Sequence, residues 1–497
     1  MKQSHAIHPV GPLLFGLLIT QVLATIQVYL SNLNLYVMLA VAKTAGYLTV
    51  PNQQVAGSLQ KITTAFLGGL FFTFSIGAGI CLASLAAAWI WRRVFAKSIF
   101  VLVFFLCIWA GLLIAVNIYG WSVWPSLYFF LVPPILFTIM LKGMPQSPPE
   151  LSRTPRWMHI IPIPLLALLW FTQFDGSLLL DLRDNLLWSN LLGNKFVSFY
   201  YRYTLYPAQA FKALDQKTIR TCQLEHIASP ALYQNINKTL LDYDYLPVNA
   251  GIGVDAIISN KNTELVFKSR GCELFQIPIS RFLSDPATAL HHLSRASDRH
   301  SVFRYLTFVS LLIGFPIVIY LFLHALLYYL FLAFSNPGTS ALLASVMCFL
   351  IGFATFAFFQ TNRIDVVSTQ NVAAALGSTR WQVRVAALKA AGKNRLDISR
   401  YRGYPALLKS PVVPQRYWLA RALAVSRGPG TYRDLLHLLN DANINVRCMA
   451  MYAFGQRKNP QAIGPILAKL QTSGHWYSQL YAYRALRSLG WKQRRSP

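Results

Sequence analysis

The chain has 497 residues, of which 55% are hydrophobic and only 12% are charged. A soluble protein normally carries about 25% charged residues, so this composition excludes a soluble single-domain enzyme and a disordered chain. The 45 basic residues still outnumber the 17 acidic ones, which gives a formal net charge of +28. Six scattered cysteines are too few to form a disulfide-based scaffold.

Seven uncharged apolar runs reach the length of a membrane span, because roughly 20 helical residues cross about 30 Å of hydrocarbon. They are 12–30, 63–91, 98–119, 121–141, 157–174, 305–334 and 341–359. The fifth run barely reaches this length and contains Pro162 and Pro164, so a re-entrant or interfacial segment is the alternative. We predict a mainly α, polytopic helical membrane protein with about seven spans. Five spans form an N-terminal bundle over 1–174, and two form a hairpin over 303–360.

Basic residues in the short loops predict the orientation of these spans. Seven lie on the side of the N-terminus (Lys2, Arg92, Arg93, Lys97, Lys142, Arg153 and Arg156), and two lie on the other side (Lys43 and Lys61). This excess predicts a cytoplasmic N-terminus in a cell (inner) membrane. If the fifth run spans, 175–302 and the residues after 360 lie outside the cytoplasm, which is the side we favour. Arg295, Arg299 and Arg304 before the sixth run favour the opposite side. The hairpin places both soluble regions on one common side in either case.

The region 175–302 has thirteen basic and twelve acidic residues, the balance of a small soluble domain. Its first part, 178–192, has apolar residues on a helical stripe and is predicted to lie along the bilayer surface or under the domain. Two short strands around a turn are predicted over 255–267, and a third over 275–279. Ser284-Asp285-Pro286 is typical of a helix start. These patterns predict a small α/β insert.

The region 361–497 has 22 basic and 4 acidic residues, so most of the net charge lies here. The segment VRVAALKAAG (383–392) recurs as VRCMAMYAFG (446–455), fits at 481–490 and fits more loosely at 418–427. Each copy follows another short helical pattern, which predicts four helix pairs of roughly 30 residues stacked as an α-solenoid. The fifth-place alanines allow close packing, and the tenth-place glycine is predicted to end the helix. These alanines are Ala387, Ala422, Ala450 and Ala485, spaced by 35, 28 and 35 residues.

The segment LLNDANINVRCMAMYAFGQRKNPQAIGPILAKL resembles the HEAT repeat, in the short variant of the phycobilisome-lyase-like HEAT proteins. In that family, a leucine-rich helix is followed by an acidic-Asn turn and by Val-Arg-x-x-Ala-x-x-Ala-x-Gly. The matching residues are Asp441, Val446, Arg447, Ala450, Ala453 and Gly455. The resemblance covers about a quarter of the chain, and no family is recognised for 1–360. It implies protein–protein binding and scaffolding, with bilin attachment in a minority of the family, and it carries over no catalytic residue and no cofactor.

The basic surface of this region is the main functional prediction. It suits an acidic partner protein or anionic lipid headgroups, for which each basic residue contributes about 1 kcal/mol near a membrane. A nucleic-acid partner would need the cytoplasmic orientation and is disfavoured. The alternative is a role in solubility together with repeat-intrinsic arginines that bridge turns, such as Arg384 and Arg447. The predicted partner-binding residues are Arg380, Arg384, Lys389, Arg395, Arg416, Arg421, Arg427, Arg457 and Lys458.

Two cysteines and one histidine are further candidates. Cys222 and Cys272 would form a disulfide if their domain lies outside the cytoplasm, and unpaired thiols are the alternative. His324 lies in the middle of the sixth run, where an ionisable residue is a functional candidate. Its alternative role is a hydrogen bond between helices.

The alternative function is a membrane enzyme or transport component with its site in the bundle and the middle domain. His324, His291, His292 and Asp242 are the residues considered for it, and Asp242 and Asp244 form a pair typical of carboxylate metal sites. The chain has no P-loop, GxGxxG, CxxC, HExxH or GxSxG motif. The sequence therefore favours a scaffold or assembly protein over an enzyme and predicts no cofactor.

Overall fold

The computed structural model describes residues 10–143, 161–227, 229–249, 253–364 and 367–495. It is mainly helical and contains one small mixed sheet. Its first seven helices are α1 (Val10–Thr44), α2 (Gln53–Leu59), α3 (Ile62–Phe72), α4 (Ala78–Trp89), α5 (Ile99–Ala115), α6 (Val123–Gly143) and α7 (Pro162–Phe171). A π-helical turn over Thr73–Gly77 joins α3 to α4, and another over Ile90–Val94 extends α4, so that Ile62–Val94 is one continuous helix.

The middle of the chain begins with α8 (Leu178–Leu182), which a π-helical turn (Arg183–Leu187) extends. The helices that follow are α9 (Leu191–Tyr203), α10 (Leu205–Ala208), α11 (Pro230–Asp242), α12 (Ile279–Ser284) and α13 (Pro286–Ser297), with 3-10 turns at Gln209–Phe211 and Leu214–Gln216. The strands are β1 (Arg220–Glu225), β2 (Tyr245–Pro247), β3 (Ala256–Lys261), β4 (Glu264–Ser269) and β5 (Cys272–Pro278). They form a sheet in the order β2-β1-β3-β4-β5, in which β1 is parallel to both neighbours and the other pairs are antiparallel.

Two further long helices, α14 (Ser301–Leu332) and α15 (Pro337–Asn362), pack against each other, and α14 also packs on α4. Close approach of α14 to α4 depends on glycine, since an ideal Cβ at Gly314 would lie 3.1 Å from the backbone nitrogen of Gly79. Small residues at such crossings are typical of helices that pack in membranes.

Within the described residues, five helices are long and apolar enough to cross a membrane: α1, Ile62–Val94, α6, α14 and α15. Five of the seven predicted runs therefore form helices of membrane-spanning length and composition, and the number of spans stays a prediction. The third predicted run forms α5, with 17 residues. The fifth forms α7, whose ten residues extend about 15 Å, which is roughly half of the hydrocarbon thickness. Residues 157–160 of that run lie outside the described part.

The C-terminal region contains eight helices in short–long pairs. They are α16 (Val372–Leu376), α17 (Trp381–Lys393), α18 (Tyr404–Leu407), α19 (Val413–Leu423), α20 (Thr431–Leu439), α21 (Ile444–Arg457), α22 (Ile463–Thr472) and α23 (Trp476–Ser488), with 3-10 turns at Thr369–Asn371, Ile398–Arg400 and Pro460–Ala462. The longer helices α17, α19, α21 and α23 start every 31 or 32 residues, and each packs on the next. All eight predicted helical segments are therefore confirmed as helices.

The register between these helices differs from the predicted one. Arg384, Arg416 and Gln479 each donate to a backbone carbonyl six residues earlier, at Ser378, Ser410 and Ser473. The three side chains are therefore equivalent, and the predicted alignments at 418–427 and 481–490 are displaced by three residues. The displacement arose because alanine recurs at the fifth and the eighth place, one helical turn apart, so that Ala422 and Ala485 were matched to the wrong one.

The glycine at the tenth place of the repeat also differs from its predicted role, which was to end the helix. Gly392 lies within α17 and Gly455 within α21, and the left-handed residue that follows α21 is Lys458, with φ +51°. An ideal Cβ at Gly455 would lie 3.3 Å from Ala485 Cα, so this glycine allows α21 to approach α23. Gly490, with φ +84°, is the glycine that follows the end of its helix in a left-handed conformation.

The C-terminal helices contact the other parts of the chain at one end of the apolar helices. The Asn52 amide, in the loop after α1, donates to the carbonyls of Leu470 and Gln471 at 2.9 Å each. The Tyr483 hydroxyl donates to Asp244 beside the sheet at 2.6 Å. The two predicted soluble regions therefore contact each other, and the C-terminal one also contacts the loop after α1.

Candidate functional site

The predicted basic residues divide into side chains that hold the protein together and side chains that remain accessible. Lys389 belongs to the first group, because its ammonium lies 2.7 Å from Asp181 and 3.4 Å from Asp184 and packs over the Trp418 ring. These acids belong to the segment α8 and its extension, which packs against the C-terminal helices, whereas 178–192 was predicted to lie along the bilayer surface or under the middle domain. Lys389 therefore joins two parts of the chain and is not free to bind a partner.

Three arginines from the predicted set also bind within the chain. Arg416 makes two bonds to the Asp441 carboxylate, at 2.6 and 3.1 Å. Arg384 donates to the carbonyls of Ser378 and Thr379, as the turn-bridging interpretation predicted. Arg380 is exposed and donates to a carbonyl at the end of α15 at 3.3 Å. The structure thus corrects the docking role for Arg384, Lys389 and Arg416.

Two other members of the set are exposed. Arg421 lies over the rings of Trp418 and Tyr452, at 5.2 and 6.0 Å from their centroids. Lys458 follows the end of α21. Neither lines a cavity with the remaining three arginines.

Arg395, Arg427 and Arg457 come together in one cavity of about 540 Å³. Each lies at or just beyond the carboxyl end of a long helix, at α17, α19 and α21 respectively. Because these helices stack, three turns from three successive units form one wall. Uncharged groups complete the lining: Ala424, Val425, Ser426, Gln456 and Asn459. We call this cavity the arginine pocket.

The described lining of the arginine pocket carries three positive charges and no acidic side chain. The Arg457 Nη1 atom is buried and has no hydrogen-bond partner among the described residues. Burial and the neighbouring Arg427 hold the pKa of Arg457 below its usual value, and Asp397 opposes this effect. The Asp397 carboxylate accepts hydrogen bonds from Ser399 and from the backbone nitrogen of Arg427. Guanidinium groups in such an arrangement suit carboxylate or phosphate oxygens.

The predicted disulfide is not formed. Cys222 lies on β1 and is buried, whereas Cys272 begins β5 and is exposed, and both thiols are free. Because β3 and β4 lie between these strands, the two cysteines are separated by about 14 Å. A disulfide requires Cα atoms within about 7 Å of each other. Burial raises the pKa of the Cys222 thiol, as expected for a cysteine inside a core.

His324 joins two apolar helices, which is the second of its two predicted roles. Its Nε2 atom lies 3.1 Å from the Ser345 hydroxyl of α15. Hydrogen bonds of this kind stabilise helix pairs inside membranes.

The residues considered for an enzyme do not come together. His291 is exposed, and the His292 ring packs on Phe275. Asp242 pairs with Lys492 at 2.7 Å, and Asp244 pairs with Arg487 at 3.0 Å, so both acids join the middle region to the C-terminal helices. Over the residues that the structure covers, no group of three or more His, Cys, Asp or Glu side chains is placed to hold a metal ion.

Sequence reasoning missed the buried charges of α8 and its extension. Asp184 is 1% exposed at its side chain and accepts from the Trp418 indole at 2.7 Å and from Arg183 at 2.8 Å. The available signal was the pattern LLLDLRDNLL, in which three charges interrupt an apolar helical stripe. Such charges need partners when the stripe is buried.

The comparisons with known proteins add no relative. No model of a protein family, no curated protein and no solved structure matches this chain.

Proposed function

We propose that this protein is a membrane-anchored scaffold or assembly protein. The apolar helices hold it in a lipid bilayer, and the C-terminal helices act as a HEAT-like solenoid that binds an acidic segment of a partner protein. The arginine pocket is the docking site. The observation that carries the proposal is that three arginines from successive helix pairs line one cavity, in which a buried guanidinium nitrogen has no partner among the residues the structure describes.

The shape of the arginine pocket favours a protein partner over a lipid surface. A cavity of about 540 Å³ receives protruding side chains, whereas a planar layer of headgroups needs an exposed, flat basic face. Several arginines that would have formed such a face, including Arg384 and Arg416, are bound inside the chain. Glutamate or aspartate side chains supply the carboxylates that a guanidinium binds through two parallel hydrogen bonds.

Contacts at the two ends of the apolar helices support an extracytoplasmic location of the docking site. The loop after α1 binds the C-terminal helices through Asn52, and the side chain of Arg299 lies against Gly120 in the turn between α5 and α6. At the other end of these helices, Arg92 donates to the carbonyl of Leu141. That end carries most of the basic loop residues, and such residues face the cytoplasmic side of a cell (inner) membrane. A nucleic-acid partner is then out of reach.

Replacing Arg395, Arg427 and Arg457 together with glutamine is expected to weaken binding of an acidic peptide at least ten-fold. The physical reason is the loss of three charge-assisted contacts from one cavity. The measurement is the fluorescence anisotropy of a labelled oligoglutamate peptide, titrated with the full-length protein in detergent micelles at constant salt.

The control variant removes the same number of positive charges elsewhere. Arg402, Lys409 and Arg494 are exposed and lie outside the arginine pocket, so their replacement with glutamine should change the affinity about two-fold or less. Equal losses in the two triple variants would show that net charge attracts the peptide, and the arginine pocket would not be a docking site.

A reporter enzyme fused after Pro497 is expected to be active only outside the cytoplasm. The reason is that the C-terminal helices contact the end of the bundle with few basic loop residues. Two fusions test this, one to alkaline phosphatase, which folds only outside, and one to a cytoplasmic fluorescent reporter. Fluorescence without phosphatase activity would contradict the proposed orientation and make an intracellular partner, including a nucleic acid, accessible.

A further inference from the structure

A second basic cavity, which shares no lining residue with the arginine pocket, lies between the sheet and the start of α14. Its volume is about 80 Å³, and Lys212, Lys217, Arg270 and Arg299 line it together with the carboxylates of Asp255 and Asp298. Positive groups therefore outnumber negative ones in a small space. We call it the junction cavity.

Both carboxylates of the junction cavity are already engaged. Asp255 binds the Lys217 ammonium through one oxygen and the backbone nitrogen of Thr221 through the other, at 3.0 Å. Asp298 accepts two bonds from Arg304, at 2.9 and 2.6 Å. Neither is left to neutralise the remaining cations.

The three remaining cations, Lys212, Arg270 and Arg299, have no hydrogen bond or ion pair with any residue that the structure describes. Burial, with Arg484 and Lys217 nearby, lowers the pKa of Lys212 to about 8. Burial and Arg299 also lower the pKa of Arg270, and the charge of Asp255 opposes this effect without cancelling it. Four cations lie beside only two carboxylates, both of which have other partners, so these side chains suit an anion.

The backbone at Arg270 supports a role for its side chain. Arg270 and Gly271 form the two-residue turn between β4 and β5, with φ +51° and +79°. Asparagine or glycine is the usual choice at both positions of such a turn, because other side chains cost about 1–2 kcal/mol there. The sheet alone gives no reason for an arginine at this position.

The junction cavity lies where the apolar helices end. His300 lines it and directly precedes α14, and the His300 ring lies 3.4 Å from the Ser122 hydroxyl at the start of α6. Arg299 packs against Gly120 in the turn before α6. In a bilayer this level corresponds to the headgroup region, where basic pockets bind phosphate-bearing lipids.

We propose that the junction cavity binds a phosphate group through Lys212, Arg270 and Arg299. A volume of about 80 Å³ accepts one such group, since each water molecule occupies about 30 Å³ in the liquid. The phosphate comes either from a lipid headgroup with its chains in the adjacent bilayer or from free phosphate in solution. The inference is independent of the proposed scaffold function, because it concerns other residues and another ligand.

The test uses the full chain in phosphatidylcholine nanodiscs, with Tm followed by intrinsic tryptophan fluorescence. One arm adds inorganic phosphate against sodium chloride of equal ionic strength. The other compares nanodiscs containing phosphatidic acid with nanodiscs containing the same fraction of oleic acid, which has the negative charge without phosphate. A Tm increase in the first arm identifies free phosphate as the source, and an increase only with phosphatidic acid identifies the lipid.

Two variants connect the effect to the cavity. Arg270→Asn keeps a residue that tolerates the left-handed turn, and Lys212→Met keeps the length of the side chain. Each should raise the phosphate or phosphatidic acid concentration for half-maximal stabilisation at least ten-fold. Lys261→Asn removes an exposed cation on β3 and should change it about two-fold or less.

Three results would overturn the proposal. They are no Tm increase in either arm, an equal increase in Arg270→Asn and the unaltered chain, and a lower Tm of Arg270→Asn in the absence of any phosphate. The last result would mean that Arg270 stabilises the fold itself. The proposal predicts the reverse, since removal of one of several neighbouring cations relieves repulsion.

Discussion

Replacement of Asp184 with alanine is expected to destabilise the contact between the C-terminal helices and the rest of the chain by about 3–5 kcal/mol. The Asp184 side chain is 1% exposed and pairs with Arg183, which is 11% exposed. Burial alone would lower the pKa of Arg183, and the Asp184 charge raises it above its usual value. Without Asp184, the guanidinium stays buried between Trp188 and Tyr417 with no counter-charge. The Trp418 indole also loses its acceptor.

The measurement is the fluorescence Tm of the full chain, together with the rate of trypsin cleavage after the arginines of α17 and α19. Asp184→Ala should lower the Tm and increase the rate of trypsin cleavage, because the C-terminal helices separate from the rest of the chain more easily. The control is Asp175→Ala, which breaks a pair with Arg363 at a carboxylate that is 48% exposed. Such exposed pairs contribute less than about 1 kcal/mol. Equal effects of the two substitutions would contradict the structural role of Asp184.

The elements that local patterns predict are the ones the structure confirms. Five apolar runs appear as long helices because the 18-residue threshold depends only on composition within the run. The strands β3, β4 and β5 lie at the predicted positions, although β5 begins three residues before the predicted 275–279. Strands β1 and β2 were not predicted, because Arg220–Glu225 contains two charges and Tyr245–Pro247 has only three residues. Their strand conformation depends on pairing with each other and, for β1, with β3.

Contacts between distant segments could not be predicted from composition. Lys389 was assigned to a docking surface because its partners Asp181 and Asp184 lie about two hundred residues earlier in the chain. The same limit applies to Cys222 and Cys272, whose separation depends on the strand order. A repeat with alanine at two places one helical turn apart also permits two alignments, and only the hydrogen bonds of Arg384, Arg416 and Gln479 distinguish them.

The positive charge of the C-terminal region therefore has an internal role, and the docking role proposed for it rests on other residues. Arg416 and Lys389 neutralise buried carboxylates, and their removal would leave those acids unpaired. Arg395, Arg427 and Arg457 have no comparable set of acids around them. The net charge of a repeat region is thus a weak guide to its binding surface until the internal pairs have been identified. What distinguishes the arginines proposed for docking is that they share a cavity whose described lining contains no carboxylate.

Stability is expected to fall when the pH is lowered from 7 to 5, in part through His475. Burial, with Arg447 and Arg202 nearby, lowers the pKa of His475 in the folded chain to about 4 from its usual value of 6.5. The unfolded chain therefore binds more protons between these values, so stability is complete above about pH 6.5 and is lost as the pH falls towards 4. For this shift, the loss between pH 7 and 5 is about 1–2 kcal/mol.

The structural cause is the position of His475 at the start of α23. Its Nδ1 atom accepts a hydrogen bond from the backbone nitrogen of Tyr477 at 3.2 Å, which a protonated ring cannot do. Asparagine caps helices in the same way without titrating, so His475→Asn should reduce the loss of stability between pH 7 and 5 by about 1–2 kcal/mol. The exposed His437 supplies the control, because His437→Asn should leave the pH dependence unchanged. His300, whose pKa burial and Arg270 lower to about 4, would retain its own contribution in both variants. If His475→Asn and the unaltered chain lost stability equally, protonation of His475 would not be coupled to unfolding, and the ring would have to be charged in the folded chain.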